Sequence, residues 1–151
     1  MQAFYKVTTK LKEYLLAEPF VNTVTYGNIS DVDLDKQTIF PLSHLQVSNV
    51  EITGPTLIFN VSILLMDIVD ISNDETVDKF TENDNTHDIL NTQLAVVGRL
   101  AALLKRGDLF DELIQVIGNP TAEPFSDRFT NKLAGWSMDF QVEVPNNSTI
   151  C

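Results

Sequence analysis

The sequence predicts an α+β fold, a two-layer sandwich in which two helices lie on one face of a mainly antiparallel sheet of four to five strands. Three observations predict it. Apolar residues recur at spacings of three and four near the N-terminus and again in the segment before Gly107. Apolar and polar residues alternate in several other segments, as they do in half-buried strands. A short turn joins the two longest alternating segments, so these two strands are expected to be antiparallel.

The N-terminal segment has the pattern of an amphipathic helix. Its apolar stripe consists of Phe4, Val7, Leu11, Tyr14 and Leu15. Pro19 disfavours the helical conformation at Glu18, so the helix is expected to end there. Residues Phe20 to Tyr26 are rich in β-branched side chains and predict a short strand that stops at Gly27.

A long hairpin follows, with strands predicted at Ile39 to Ile52 and Thr56 to Val69. The turn between them contains Gly54. The apolar pattern changes phase within the first strand, which predicts a β-bulge near Ser48 and Asn49. The second strand becomes apolar on both faces toward its end. It is therefore a central strand, or one covered at that end by a second layer or a neighbouring subunit.

The second helix has the stronger pattern. Asn85 or Thr86 can cap it, and Gly107 follows its last turn. Gly98 lies inside this helix, where glycine costs about 1 kcal/mol relative to alanine. A glycine at this position predicts the close approach of a neighbouring element.

The C-terminal third predicts a short helix at Leu109 to Leu113 and a short strand at Ile114 to Ile117. The residues after it are expected to interrupt regular structure, namely Gly118, Pro120, Pro124 and Ser126 to Arg128. A final strand is predicted at Trp136 to Val144, ended by Pro145. The chain is expected to be a single domain, residues 1–151, with a loose tail at 145–151.

The composition excludes several classes of function. Asp and Glu number 21 against 10 Lys and Arg, which gives a net charge of −11. This balance argues against affinity for nucleic acid or an anionic membrane, since both are bound through clustered Lys and Arg. The single cysteine, Cys151, argues against a disulfide framework and a cysteine-based zinc cluster. Neither a signal peptide nor a membrane-spanning stretch is expected, so a cytosol-like compartment is predicted.

One acidic pattern resembles part of a calcium loop. Asp31, Asp33 and Asp35 match its first three ligand positions. However, Lys36 stands where glycine is required and Leu42 where a bidentate glutamate is required. A solvated turn is therefore favoured over a calcium site.

The two histidines do not predict catalysis. His44 lies in a predicted strand without a second ligand at metal-binding spacing, and His87 lies at the start of the second helix near Asp84 and Asp88. No serine or cysteine stands in a recognisable nucleophile motif. The expectation is a protein that is not an enzyme, with no catalytic residue, no metal and no cofactor.

The segment from Asp67 to Asp88 holds eight acids and one base, Lys79. A solvated loop is the simplest interpretation. The functional alternative is an electrostatic surface that repels polyanions or steers a basic partner. The candidate interaction or lumen residues are Asp70, Asp74, Glu75, Asp78, Glu82 and Asp84.

Three parts of the sequence together resemble the small tail-terminator and tail-completion proteins of tailed bacteriophages. They are Tyr26 to Asp33 with Lys36 to Leu42, Asn91 to Val97, and Lys132 to Trp136 with Val142 to Pro145. The resemblance spans most of the chain. It implies a ring, commonly hexameric, in the virion at the head-proximal end of the tail, assembled in the host cytoplasm.

Such a ring caps the tail tube, stops its polymerisation and docks to the neck. The implied partners are other copies of the chain, the tail tube protein and a neck or head-completion protein, while genomic DNA passes without specific binding. The candidate contact surfaces are the hairpin of Ile39 to Val69 and the acidic segment of residues 70–88. The alternatives are a head-closure or neck connector protein, a monomeric cytosolic binding module for a basic partner, and, least favoured, a small hydrolase that uses His87.

Overall fold

The computed structural model describes residues 3–32, 37–70, 85–107, 109, 113–126 and 133–146. Two helices and five strands lie within them. In chain order they are α1 (Ala3–Leu16), β1 (Thr23–Tyr26), β2 (Leu42–Ile52), β3 (Thr56–Ile68), α2 (Thr86–Arg106), β4 (Gln115–Ser126) and β5 (Leu133–Pro145). The strands form one sheet in the order β1-β2-β3-β5-β4. The predicted α+β class is confirmed, with five strands.

The sheet is mainly antiparallel, with β3 at its centre. The described sheet has four strand pairs. Three are antiparallel, and the fourth joins the edge strand β1 in parallel to β2. The predicted bulge is confirmed, because the register of β2 against β3 shifts between Val47 and Asn49. The extra residue is Ser48, whose hydroxyl donates to the carbonyl of Asn60 at 3.1 Å. The bulge returns the following apolar residues of β2 to the face that already carries Val47.

Both helices pack on one face of the sheet, as predicted. The buried side chains of α1 are Val7, Leu11 and Leu15, and those of α2 include Val96, Val97, Leu100 and Leu104. They share one apolar cluster with the odd-numbered residues of β3 from Phe59 to Leu65 and with Met138, Phe140 and Val142 of β5. Trp136 adds a polar tie, since its indole N–H donates to the Leu90 carbonyl of α2 at 2.8 Å.

Within the described residues, the opposite face of the sheet is covered at one end only. Phe40, Leu42, Met66 and Leu133 form a smaller buried cluster there, covered by Ile29, Val32 and Ile39 from the connection between β1 and β2. This cluster explains why β3 becomes apolar on both faces toward its end. The second covering layer comes from this chain, so no neighbouring subunit is needed to explain the pattern.

The sequence prediction was wrong for β4. A single strand runs through the residues expected to interrupt it, because β4 lies at the sheet edge. An edge strand has no partner on one side, so it tolerates Pro120 and Pro124, which lack an N–H donor. A second register shift between Ile117 and Thr121 accommodates Gly118, whose φ is 66°.

Several predicted element boundaries also differ. β1 begins at Thr23 rather than Phe20, β2 at Leu42 rather than Ile39, and β5 at Leu133 rather than Trp136. The short helix predicted at Leu109 to Leu113 does not include its last residue, because Leu113 has a left-handed φ of 61°. Residues 110–112 of that prediction lie outside the described residues. Asn146, expected in the loose tail, is bound to the β2–β3 turn, while residues 147–151 lie outside the described part of the chain.

Two glycines have opposite surroundings. Gly135 of β5 lies against the backbone of β3, where an added Cβ would be 1.8 Å from the Leu65 carbonyl oxygen. Gly98 of α2 is exposed, and a Cβ there would meet nothing within 4 Å. The predicted close approach at Gly98 is therefore wrong, and the close approach occurs at Gly135.

Among the helices of the described residues, none is long and apolar enough to cross a membrane.

Candidate functional site

The sheet face opposite the helices is polar toward the β2–β3 turn, and no other part of the described chain covers it there. A row of amides crosses it, one from each of three neighbouring strands. The Asn60 side chain of β3 bonds to Asn49 of β2, and Gln141 of β5 donates to the Asn60 Oδ1 at 2.6 Å. These amides and Asp139 line a shallow depression of about 460 Å³.

This surface, called the open face below, is also acidic. The register of the strands places four carboxylates on it, Glu51, Glu123, Asp139 and Glu143. No Lys or Arg occurs in any of the five strands. The open face therefore presents carboxylate and amide oxygens with no strand cation to offset them.

The basic side chains lie on the helical layer. All six described Lys and Arg belong to α1 or α2, namely Lys6, Lys10, Lys12, Arg99, Lys105 and Arg106. Arg99 is paired with Glu18, which follows α1, through an Nη2 to Oε2 distance of 2.7 Å. The described part of the molecule is thus basic on its helices and acidic on its strands.

An aromatic surface lies where α1 meets the edge strand β1. Phe4, Tyr5 and Tyr26 are 41%, 65% and 50% exposed. The Phe4 ring makes edge-to-face contacts with Tyr26 at 5.7 Å and with Tyr5 at 6.2 Å between ring centres. Together with Lys12 these residues line a hollow of about 240 Å³. These four residues are called the aromatic–lysine surface.

Sequence reasoning missed this surface. Phe4 was placed in the buried stripe of α1, but only Val7, Leu11 and Leu15 of that helix are buried. The available signal was Tyr5, an aromatic residue beside Phe4 that lies outside the spacing of the apolar stripe.

The β2–β3 hairpin, predicted as a contact surface, has an exposed apolar tip. Val50 and Ile52 are 38% and 71% exposed although they lie on the helix side of the sheet. The turn is held by Asn146, whose side chain donates to the Gly54 carbonyl at 3.1 Å and whose N–H donates to the Pro55 carbonyl at 2.9 Å. The tip therefore extends beyond the helical layer but is tied to the end of β5.

One of the six predicted acidic surface residues lies within the described chain. Asp70 is exposed, and its N–H donates to the Asn85 Oδ1 at 2.7 Å, while the Asn85 N–H donates to the Asp70 carbonyl at 3.2 Å. Asn85 occupies the predicted cap position, but its side chain makes no capping bond to α2. Asp74, Glu75, Asp78, Glu82 and Asp84 lie outside the described residues.

Asp67 is a half-buried carboxylate near this segment. Burial raises the pKa of Asp67 above its usual value of 3.8, and the nearby charge of Asp70 acts in the same direction. The Ile68 N–H, which donates to the Asp67 Oδ1 at 2.8 Å, opposes the change in pKa. The folded protein therefore binds a proton at Asp67 more tightly than the unfolded chain does.

The Asp67→Asn variant is expected to be more stable than the wild type at neutral pH. A raised pKa contributes stability below pH 3.8, and this contribution is lost as the pH rises through the pKa of the folded state. The asparagine keeps an oxygen for the Ile68 N–H and removes the charge. Urea unfolding from pH 3 to pH 7.5 measures the free energy of unfolding of the variant and of the wild type. The difference between the two should disappear as the pH falls and Asp67 becomes protonated. A variant less stable than the wild type at pH 7.5 would contradict this.

The buried histidine is structural. His44 has its Nε2 2.7 Å from the Gly27 carbonyl oxygen and its Nδ1 2.7 Å from the Thr25 hydroxyl oxygen. Because a carbonyl only accepts, Nε2 carries the proton, and in the neutral ring Nδ1 accepts from Thr25. Both ring nitrogens are used to tie β1 and its following turn to β2. His87 is exposed at the second position of α2.

The described residues contain no group of three or more His, Cys, Asp or Glu that could hold a metal ion. Asp31 ends a short 3₁₀ turn, Ile29–Asp31. Asp33 and Asp35 of the calcium-like pattern lie outside the described residues, as does Cys151.

No protein-family model matches the chain, and no curated protein is significantly similar to it.

Proposed function

We propose that this protein is a virion structural protein that forms the tail-terminator or tail-completion ring of a tailed bacteriophage. The ring caps the head-proximal end of the tail tube, stops its polymerisation and docks to the neck. The structural observation that carries the proposal is the pair of uncovered surfaces, the open face and the aromatic–lysine surface. The first offers exposed carboxylates and amides and the second exposed aromatic rings, and tyrosine and phenylalanine are enriched in protein contacts. The resemblance of the sequence to this class supplies the biological setting.

The segments that carry the resemblance help to build the fold. Residues 37–42 provide Phe40 and Leu42 of the smaller cluster, Asn91 to Val97 contains the buried Val96 and Val97, and Leu133 begins β5. A likeness in core-forming residues supports a shared architecture. Contact surfaces diverge more readily, because an exposed substitution costs little stability.

A ring of this kind gives the acidic residues a role. Genomic DNA passes through the lumen without specific binding, since phosphates repel carboxylates. Asp70 and the other candidate acids of residues 70–84 are the proposed lumen residues. We expect lysine substitutions there to leave ring assembly intact and to slow DNA ejection. Ejection at the wild-type rate from such particles would exclude the lumen role.

The proposed function is tested by tube assembly. Purified tail tube protein of the same phage is polymerised with and without this chain, and tube lengths are measured by electron microscopy. We expect the chain to limit tube length and to label one end only, with an immunogold-tagged copy locating it. Tubes of unrestricted length that carry no label would contradict the proposal.

If the protein instead closes the head, the immunogold label is expected on isolated heads and absent from headless tails.

The open face favours a second candidate, a monomeric module for a basic partner, because it carries four carboxylates and no strand cation. Light scattering separates this candidate from a ring, since a monomer has a mass of 16.9 kDa.

A further inference from the structure

We propose that the aromatic–lysine surface of one copy binds the open face of a second copy, in a head-to-tail contact that repeats to close the ring. The inference rests on the proposed function and names the two surfaces that assemble it. It follows from the charges and the hydrogen-bonding groups of the two surfaces, and from the form of the sheet edges.

The charges of the two surfaces are complementary. Lys12 is exposed on α1, which carries three lysines and one acid, Glu13. The open face carries four carboxylates on strands that contain no Lys or Arg. A second copy therefore offers each surface a partner of opposite charge, although the whole chain has a net charge of −11.

The hydrogen-bonding groups also match. Tyr5 and Tyr26 present phenol hydroxyls and Lys12 an ammonium group, all of which donate. Asp139 and Glu143 of the open face present carboxylates, which only accept when ionised. The exposed rings supply the apolar area, and tyrosine is among the residues that contribute most to protein interfaces.

The sheet edges do not favour association by strand addition. The outer strand β4 contains Pro120, Pro124 and the irregularity at Gly118, all of which interrupt a regular row of backbone donors. The other outer strand, β1, has four residues. Side-chain surfaces are therefore left to make the contact.

The two surfaces consist of different residues, so a contact between them is heterologous. The aromatic–lysine surface belongs to α1 and β1, whereas the open face belongs to β2, β3, β4 and β5. Each copy therefore keeps one surface of each kind for a further neighbour, and such a contact closes a ring when the rotation between successive copies completes a full turn.

The experiment uses two variants of the full chain, studied by size-exclusion chromatography with light scattering. Tyr5→Ala with Lys12→Glu removes one surface, and Asp139→Lys with Glu143→Lys reverses the other. Each is expected to weaken ring assembly roughly tenfold or more, the effect of losing main contact residues. The control, Asn91→Lys with Ala102→Lys, adds positive charge at exposed positions of α2 outside both surfaces, and should assemble as the wild type does. Circular dichroism checks that every variant folds.

Mixing the two disrupted variants is the decisive step. Each lacks a different surface, so one intact contact remains possible between them and a 1:1 dimer should form although each alone is a monomer. Absence of that dimer overturns the inference. Rings formed normally by either variant alone also overturn it, and the proposed function then stands with other contact surfaces.

The wild type is measured alone and after incubation with tail tubes. A wild type that stays monomeric in both conditions overturns the inference and the ring together. Rings that respond to the variants as expected, but leave tube length unrestricted, support the inference and contradict only the tail-terminator function.

Discussion

Replacement of Gly135 by alanine is expected to destabilise the protein by about 3 kcal/mol or more. An added Cβ would be 1.8 Å from the Leu65 carbonyl oxygen and 2.8 Å from the Met66 Cα, both backbone atoms of β3. β3 is the central strand, bonded to β2 on one side and to β5 on the other. Its backbone cannot move away without disturbing two rows of hydrogen bonds, so the clash is not relieved by a rotamer change.

Gly98→Ala is the matched control, since it makes the same chemical change on an open helix surface. A Cβ at Gly98 meets nothing within 4 Å, so the variant is expected to gain about 0.5–1 kcal/mol from helix propensity. Urea unfolding of both variants measures the two effects. If Gly135→Ala unfolds within about 1 kcal/mol of the wild type, the described approach of β5 to β3 is wrong.

The second large effect is expected for Ile63→Ala, which should cost about 2–5 kcal/mol. Ile63 is 0% exposed at the centre of β3, paired with Leu45 of β2 on one side and with Met138 of β5 on the other. Its side chain lies in the main cluster beneath the helices. Neighbours on three elements restrict collapse of the cavity that alanine would leave.

Ile52→Ala is the control for Ile63→Ala. It removes the same side-chain atoms on the same side of the sheet, but at the exposed tip of the β2–β3 hairpin. Ile52 is 71% exposed, so the variant is expected to lie within about 0.5 kcal/mol of the wild type. The pair is compared by thermal and urea unfolding. A large loss at Ile52 would show that the tip is covered in solution, and equal effects at both positions would contradict the described core.

Much of the fold could be predicted from local patterns. The phase change in β2 indicated its bulge. The two-sided apolar pattern of β3 indicated a strand that is central or covered on both faces at one end, and β3 is both. The two helices were predicted from apolar spacing, because each buries one stripe of its surface. In each case the signal lay within a short stretch of sequence.

The errors came from features that depend on distant neighbours. Pro120 and Pro124 were interpreted as breaks because a proline would interrupt an internal strand, but β4 is an edge strand. Gly98 was expected to mark a close approach, whereas the backbone of β3 imposes one at Gly135. Neither neighbour is visible in the local sequence.

For the candidate contact surfaces, too, local sequence was informative only where the residues are close together in the chain. Asp70 is exposed and the other five candidate acids lie outside the described residues, so their role stays a prediction. The open face was not predicted as an acidic surface, because its carboxylates come from three different strands, β2, β4 and β5. The aromatic–lysine surface was missed because it needs both the end of α1 and the edge position of β1.

The sequence by itself therefore determined the two helices, the mainly antiparallel character of the sheet with four to five strands, and the acidic balance. Periodicity and composition are properties of single segments, and short-range physics is enough to interpret them. Only the tertiary structure decided which strands lie at the edge, which face stays open and which charges gather there. Those features arise from pairing between residues far apart in the chain, and a proposed binding surface is built from that pairing.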